Sequence, residues 1–120
     1  MANKNLNILQ NFNILYLEDD KNLRLHTKDV LEDFVNNIYA VGTSNEAFNV
    51  IQNNKIDVII SDILLENENG IDFLQFLQEE KNINIPAILT TAHTDTKYLI
   101  DAIKLKVENY IIKPIKEGVK

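Results

Sequence analysis

The chain has no cysteine and no tryptophan, and only two prolines and three glycines in 120 residues. Without cysteine there can be no disulfide, no thiolate metal site and no cysteine nucleophile, which fits a reducing compartment. No apolar run approaches the roughly 20 residues that a membrane-spanning helix needs. The first residues, MANKNLNILQNFN, are polar and asparagine-rich rather than a signal peptide. Cytoplasmic location without membrane attachment is the expectation. Positive charge is also scarce, with 12 Lys and Arg against 18 Asp and Glu, and the net charge is −6. The basic residues are scattered and form no patch, so direct contact with nucleic acid is not expected, because backbone phosphates repel an acidic surface. What remains is 45% hydrophobic and 25% charged, the composition of a globular domain. A chain of this length buries about two-thirds of its unfolded surface and needs no staples.

Residues 1–12 lack strong periodicity and read as a tail or a short extra helix. From residue 13 onward, short apolar runs alternate with helical patterns. The runs are Asn13–Leu17 (NILYL), Ile38–Val41 (IYAV), Asp57–Ser61 (DVIIS), Ile85–Thr90 (IPAILT) and Asn109–Ile112 (NYII). Each is short enough for a buried strand, and Pro86 is tolerated near the start of one. Between them, Leu23, Thr27, Val30, Leu31 and Phe34 recur at helical spacing, with Asp19 or Asp20 as the cap. Thr43 and Glu46 form a capping box for a helix carrying Ala47, Phe48, Val50 and Ile51. Ile71, Leu74 and Leu77 mark a third helix, and Leu99, Ala102 and Ile103 mark a fourth over Thr94–Lys106. Strands apolar on both faces and separated by helices imply a parallel sheet covered on both sides. The expected fold is α/β, a flavodoxin-like doubly wound five-stranded parallel sheet in the order 2-1-3-4-5.

Ligands of such sheets sit at the carboxyl ends of the strands. The first strand delivers Glu18, Asp19 and Asp20, and the third delivers Asp62 at the head of the acidic stretch DILLENENG. The fourth delivers Thr90, Thr91 and His93, and the fifth delivers Lys113. In the expected order these ends converge. Two carboxylates about 4 Å apart repel by about 4 kcal/mol at an effective dielectric near 20. Such a site must protonate, stay hydrated or bind a cation. Oxygen-only ligands with an open face suit Mg²⁺, and Lys113 adds a charge for an incoming anion. A carboxylate attacking a phosphoryl group between a metal and a lysine is in-line phosphoryl transfer. An aspartyl-phosphate is a known covalent intermediate.

The motifs ILYLEDD, IISDILLENENG, ILTTAH and YIIKPI, spread over residues 13–117, resemble those of response-regulator receiver domains, the phospho-accepting half of two-component signalling. The resemblance implies that Asp62 is the phospho-acceptor. It implies that Glu18, Asp19 and Asp62, with the backbone carbonyl of Leu64, hold Mg²⁺. Thr91 would be the hydroxyl that moves to the phosphoryl group, Lys113 its cationic partner, and Tyr110 the aromatic whose rotamer follows Thr91. The donor would be a phosphohistidine on a histidine kinase or phosphotransfer protein. The face switched would be that of the fourth helix, fifth strand and fifth helix, through which a homodimer is one option. Receivers catalyse only their own phosphorylation and dephosphorylation, so a signalling switch rather than an enzyme is expected.

Glu66 stands where the family usually has proline, which predicts a more mobile loop, and Glu68 reads as a solvated rim charge. Lys106 replaces the glycine that commonly ends the fourth helix. Leu64 and His93 stand two residues beyond Asp62 and Thr91, at positions that in the family line the path of the hydrolytic water. Residues 13–120 read as one receiver domain whose fifth helix is cut short, with an effector or kinase domain expected downstream. The alternatives are a pseudo-receiver regulated by contact alone, an aspartyl-phosphate hydrolase and a flavodoxin. The first would lack one of the key residues. The second would want Asp-x-Asp, where this chain has Leu64 two residues after Asp62. The third would want a hydroxyl- and glycine-rich loop where Glu18-Asp19-Asp20 stands.

Overall fold

The computed structural model describes residues 9–90. Its elements run β1 Asn13–Leu17, α1 Lys21–Leu31, β2 Asn37–Val41, α2 Ser44–Asn53, β3 Val58–Asp62, β4 Leu64–Leu65, β5 Glu68–Asn69, α3 Gly70–Glu80 and β6 Ala87–Thr90. The four longer strands make one sheet in the order β2-β1-β3-β6. All its pairings are parallel, with Leu15 beside Tyr39 and Ile59, and Ile60 beside Ile88. This is the expected order as far as the fourth strand. The fifth strand (Asn109–Ile112) and the helix expected at Thr94–Lys106 lie outside the described residues.

The sheet is packed on both faces because its strands are apolar in both registers of the pleat. Ile14 and Tyr16 of β1 join Leu31, Val35, Ile38, Val58, Ile60 and Ile88 in one layer. Leu9, at the edge of the expected tail, is fully buried in that same layer. Leu15 and Leu17 face the opposite layer, with Ala47, Ile59, Phe73, Leu77 and Ala87. Hence α1 covers one face, and α2 and α3 the other.

The helix starts follow local chemistry. Asp20 is the N-cap of α1, and its Oδ1 accepts from the Leu23 N–H at 3.0 Å. Thr43 caps α2 by accepting from Glu46 N–H at 3.2 Å. The return bond of this capping box goes to the Gly42 N–H at 2.9 Å rather than to Thr43. Asn69 caps α3, its Oδ1 accepting from Ile71 N–H at 2.7 Å.

Several expectations need correction. β3 ends on Asp62, so the acid is the strand's last residue and not the first after it. β6 begins at Ala87; Pro86 precedes it and still accepts from Ile59 N–H at 2.9 Å through its carbonyl. On α3 the buried stripe is Gly70, Phe73 and Leu77; Leu74 is half-buried and Ile71 is exposed. The larger Phe73 takes the inward position, and Gly70 lets the first turn press against β3. Phe34 falls beyond α1, and Val35 is the buried residue there.

Candidate functional site

The carboxyl edge of the sheet gathers the acids. β1 runs directly into Glu18, whose N–H donates to the Val41 carbonyl of β2 at 3.0 Å. Glu18 is buried, Asp19 is half-exposed and Asp62 is buried at the tip of β3. One carboxylate oxygen from each of Glu18, Asp19 and Asp62 lies within 4.8 Å of the others. Chain topology produces this convergence, because β1 and β3 are hydrogen-bonded neighbours with Leu17 opposite Ser61.

The carboxyl of Glu18 is pushed up from 4.5 to about 7. Burial is the largest cause; the negative charges of Asp62 and Asp19 act in the same direction, against a lowering hydrogen bond from Asp20 N–H at 3.0 Å. Desolvation and like charge both disfavour the ionised form. Beside it, burial also drives the Tyr16 phenol upward, so the ring stays neutral, hydrogen-bonded with Thr27. The donor set is all oxygen and anionic, and it opens to solvent at Asp19. That chemistry fits a hard divalent cation such as Mg²⁺.

The backbone around Asp62 is held from several directions. Its carbonyl accepts from Ser61 Oγ at 2.9 Å. Ile63 N–H donates to Thr90 O at 2.9 Å, and Gly70 N–H donates to Ile63 O at 2.8 Å. A Cβ on Gly70 would come within 2.2 Å of the Asp62 carbonyl oxygen and 2.6 Å of Ser61 Oγ. Only glycine permits that approach, and it needs no unusual φ to do so. Thr90 stands opposite Asp62 in the ladder, but its side chain is buried with Oγ1 directed to Ser61 O at 3.5 Å. It is not the exposed hydroxyl of the edge. Thr91, His93, Tyr110 and Lys113 lie outside the described residues.

The segment after Asp62, where Glu66 stands in place of a proline, forms a short ladder. Leu64 pairs with Asn69 and Leu65 with Glu68 in a short antiparallel hairpin. Leu65 is buried against the α2–α3 face, while the Leu64 side chain is 74% exposed. Glu68 is not a free rim charge: its carboxylate accepts from Ser44 N–H at 3.1 Å and from the Ser44 hydroxyl. It therefore lies at the positive end of α2.

Two participants escaped the sequence reading. Glu68 meets Ser44 across 24 residues, which no local capping rule detects. Arg24, on the first turns of α1, donates from Nη1 to Glu18 O at 2.7 Å and to Asp19 O at 3.4 Å. Its place about one turn beyond the Asp20 cap was the available signal, since that position faces the loop before the helix.

The response regulator receiver domain family matches residues 14–119. The chain is 30% identical to the two-component response regulator ARR10 of Arabidopsis thaliana over 83 residues, covering 65% of this chain and 15% of that protein. It is 27% identical to the DNA-binding response regulator MtrA of Mycolicibacterium paratuberculosis over 103 residues, covering 86% of this chain and 45% of that protein. It thus spans less than half the length of these relatives. Among solved structures, the receiver domain of Francisella response regulator 1452 aligns with a TM-score of 0.64 at 30% identity, covering 87% of this chain and 85% of that one. The response regulator TrrA of Thermotoga maritima, solved with Mg²⁺-BeF, shares the fold at 22% identity with a TM-score of 0.61, covering 89% and 90% of the two chains.

Proposed function

The chain belongs to the response regulator receiver domain family, and from that premise we propose that it accepts a phosphoryl group on Asp62 in a Mg²⁺-dependent reaction. The observation that carries this reading is the convergence of Glu18, Asp19 and Asp62 within 4.8 Å at the sheet's carboxyl edge. A pseudo-receiver has no need to keep three mutually repelling acids there.

In the proposed reaction an Asp62 carboxylate oxygen attacks the phosphorus of a phosphohistidine on a partner kinase or phosphotransfer protein. The O–P bond forms as the P–N bond breaks, and the electron pair leaves on the histidine nitrogen. Glu18, Asp19 and Asp62, with the Leu64 carbonyl, are the residues that would hold Mg²⁺. When bound, the ion neutralises the carboxylates and the incoming phosphoryl oxygens. Lys113 and Thr91 are assigned to the phosphoryl group, and Tyr110 to the switch that reports it. Phosphorylation adds up to about two negative charges, which bias the face of the fourth helix, fifth strand and fifth helix. The output would pass to a partner or to a domain beyond residue 120. The compartment proposed is the cytoplasm; among the described residues no helix is long and apolar enough to cross a membrane.

Labelling with a small phosphodonor and Mg²⁺ tests the reading. Wild type should form an acid-stable, alkali-labile phosphoprotein, and Asp62→Asn should not. Equal, persistent label in both would remove Asp62 from its role, and absence of label in both would favour the pseudo-receiver.

A further inference from the structure

Among the described residues, Arg24 is a cation at the acidic edge with no role assigned above, and it grips the loop by its backbone. Nη1 bonds the carbonyl oxygens of Glu18 and Asp19 at 2.7 and 3.4 Å. Those are the two consecutive residues whose side chains join Asp62 in the carboxylate cluster. The same guanidinium lies against Gly42 at the end of β2. A Cβ built there would stand 2.9 Å from Nη1 and 3.5 Å from Cζ. Gly42 has no positive φ, so the backbone itself does not demand glycine. A Cβ there would instead press on the guanidinium, the far end of a flexible side chain, and shift it from its place.

We propose that Arg24 is a positioning residue for the cation site, fixing the backbone of Glu18 and Asp19 so that their carboxylates face Asp62, and that Gly42 leaves open the place its guanidinium takes. One side chain thereby joins α1, the β1–α1 loop and the turn after β2. The loop is otherwise pinned by Glu18 N–H to Val41 O at 3.0 Å and by the Asp20 cap. A hydrogen bond with a charged partner is about twice as strong as a neutral one, which places the guanidinium contact, with the Asp20 cap, above the neutral Glu18–Val41 bond. Groups that orient metal ligands commonly contribute ten- to a hundredfold in affinity, in a range of about 10–100. This inference rests on the proposed Mg²⁺ site.

The test is a double-mutant cycle in Mg²⁺ affinity, read by tyrosine fluorescence or calorimetry, with metal-free urea unfolding measured in parallel. Arg24→Ala should weaken Mg²⁺ binding about tenfold. Gly42→Ala should weaken it in the wild-type background by displacing the guanidinium. It should add nothing further in the Arg24→Ala background, because the atom it would displace is gone; such non-additivity marks contacting residues. Arg24→Lys, which keeps one donor for the Glu18 carbonyl, should recover part of the affinity, and it carries the test if Arg24→Ala does not fold. A residue acting only through stability would shift urea midpoints without this pattern. Unchanged Mg²⁺ affinity in Arg24→Ala, or a Gly42→Ala loss undiminished by removing Arg24, would overturn the inference. A wild-type protein that shows no saturable Mg²⁺ binding would instead overturn the function proposed above.

Discussion

Glu18 shows how a single side chain couples the site to pH. Its folded carboxyl titrates near 7 instead of 4.5, first through burial and then through Asp62 and Asp19. A raised folded pKa means that the protonated form is favoured by folding. The associated stability is complete below about pH 4.5 and is lost as pH rises through about 7. Glu18→Gln keeps an acceptor for the Asp20 N–H and removes the charge. Without metal it should be more stable than wild type at about pH 8, by on the order of 3 kcal/mol at most. The difference should fade by about pH 5, where wild type is already protonated; chemical denaturation at both pH values reads it. Gly70 makes a second residue-scale case. Gly70→Ala drives a Cβ onto the Asp62 carbonyl, which a Cβ would approach to 2.2 Å. Overpacking of this kind costs about 1–3 kcal/mol, and because the displaced atoms belong to the proposed acceptor, phosphorylation by a small donor should slow as well. The acids themselves were legible in the sequence because they follow apolar runs. Arg24 was not singled out, because its place one turn beyond the Asp20 cap is a weak signal for a half-buried arginine until its acceptors are known.

At the scale of elements, the segment that has Glu66 where the family usually has proline is a hairpin of β4 and β5. Its ladder, the buried Leu65 and the Glu68–Ser44 tie together hold the segment that carries the Leu64 carbonyl. Glu68 does this by serving the N-terminus of α2, so the segment after Asp62 is tied to a helix on the sheet's second face. Glu68→Gln keeps the size but weakens the charge-assisted bonds and the helix-end interaction, which together contribute about 1 kcal/mol. Stability should fall by about that amount, and hydrogen exchange at the Ser44 amide should accelerate in Glu68→Gln while exchange at β1 amides is unchanged. Unaltered exchange at Ser44 would return Glu68 to the role of a solvated rim charge. Strands of two residues leave no periodic trace, and the sequence between Asp62 and Gly70 is rich in Asn and Glu, residues depleted in strands. That is why this hairpin could not be read in advance, whereas the longer apolar strands could.

For the whole molecule, the two-sided core was legible from one rule, that strands apolar on both faces must be covered on both faces, while the order, seen as far as the fourth strand, came from the doubly wound fold that alternating strands and helices imply. β1 illustrates it, sending Ile14 and Tyr16 to one layer and Leu15 and Leu17 to the other. The same topology that buries these residues delivers the acids to a common edge, so the fold stores electrostatic repulsion at one end of a cohesive core. A cation held there would relieve it, and ligand binding to the folded state alone stabilises that state by mass action. Mg²⁺ at a hundredfold excess over its dissociation constant should add about 2.7 kcal/mol, or roughly 10 °C of melting temperature for a chain of this size. Protons compete for Glu18, whose carboxyl titrates near 7. The apparent affinity should therefore rise about tenfold between about pH 6 and pH 8, and at a fixed subsaturating Mg²⁺ concentration the thermal shift should grow across the same interval. Asp62→Asn, which removes an anionic ligand, should show a smaller shift at every pH. A shift of equal size in Asp62→Asn, or one that shrinks as pH rises, would place the cation somewhere other than the carboxyl edge of the sheet.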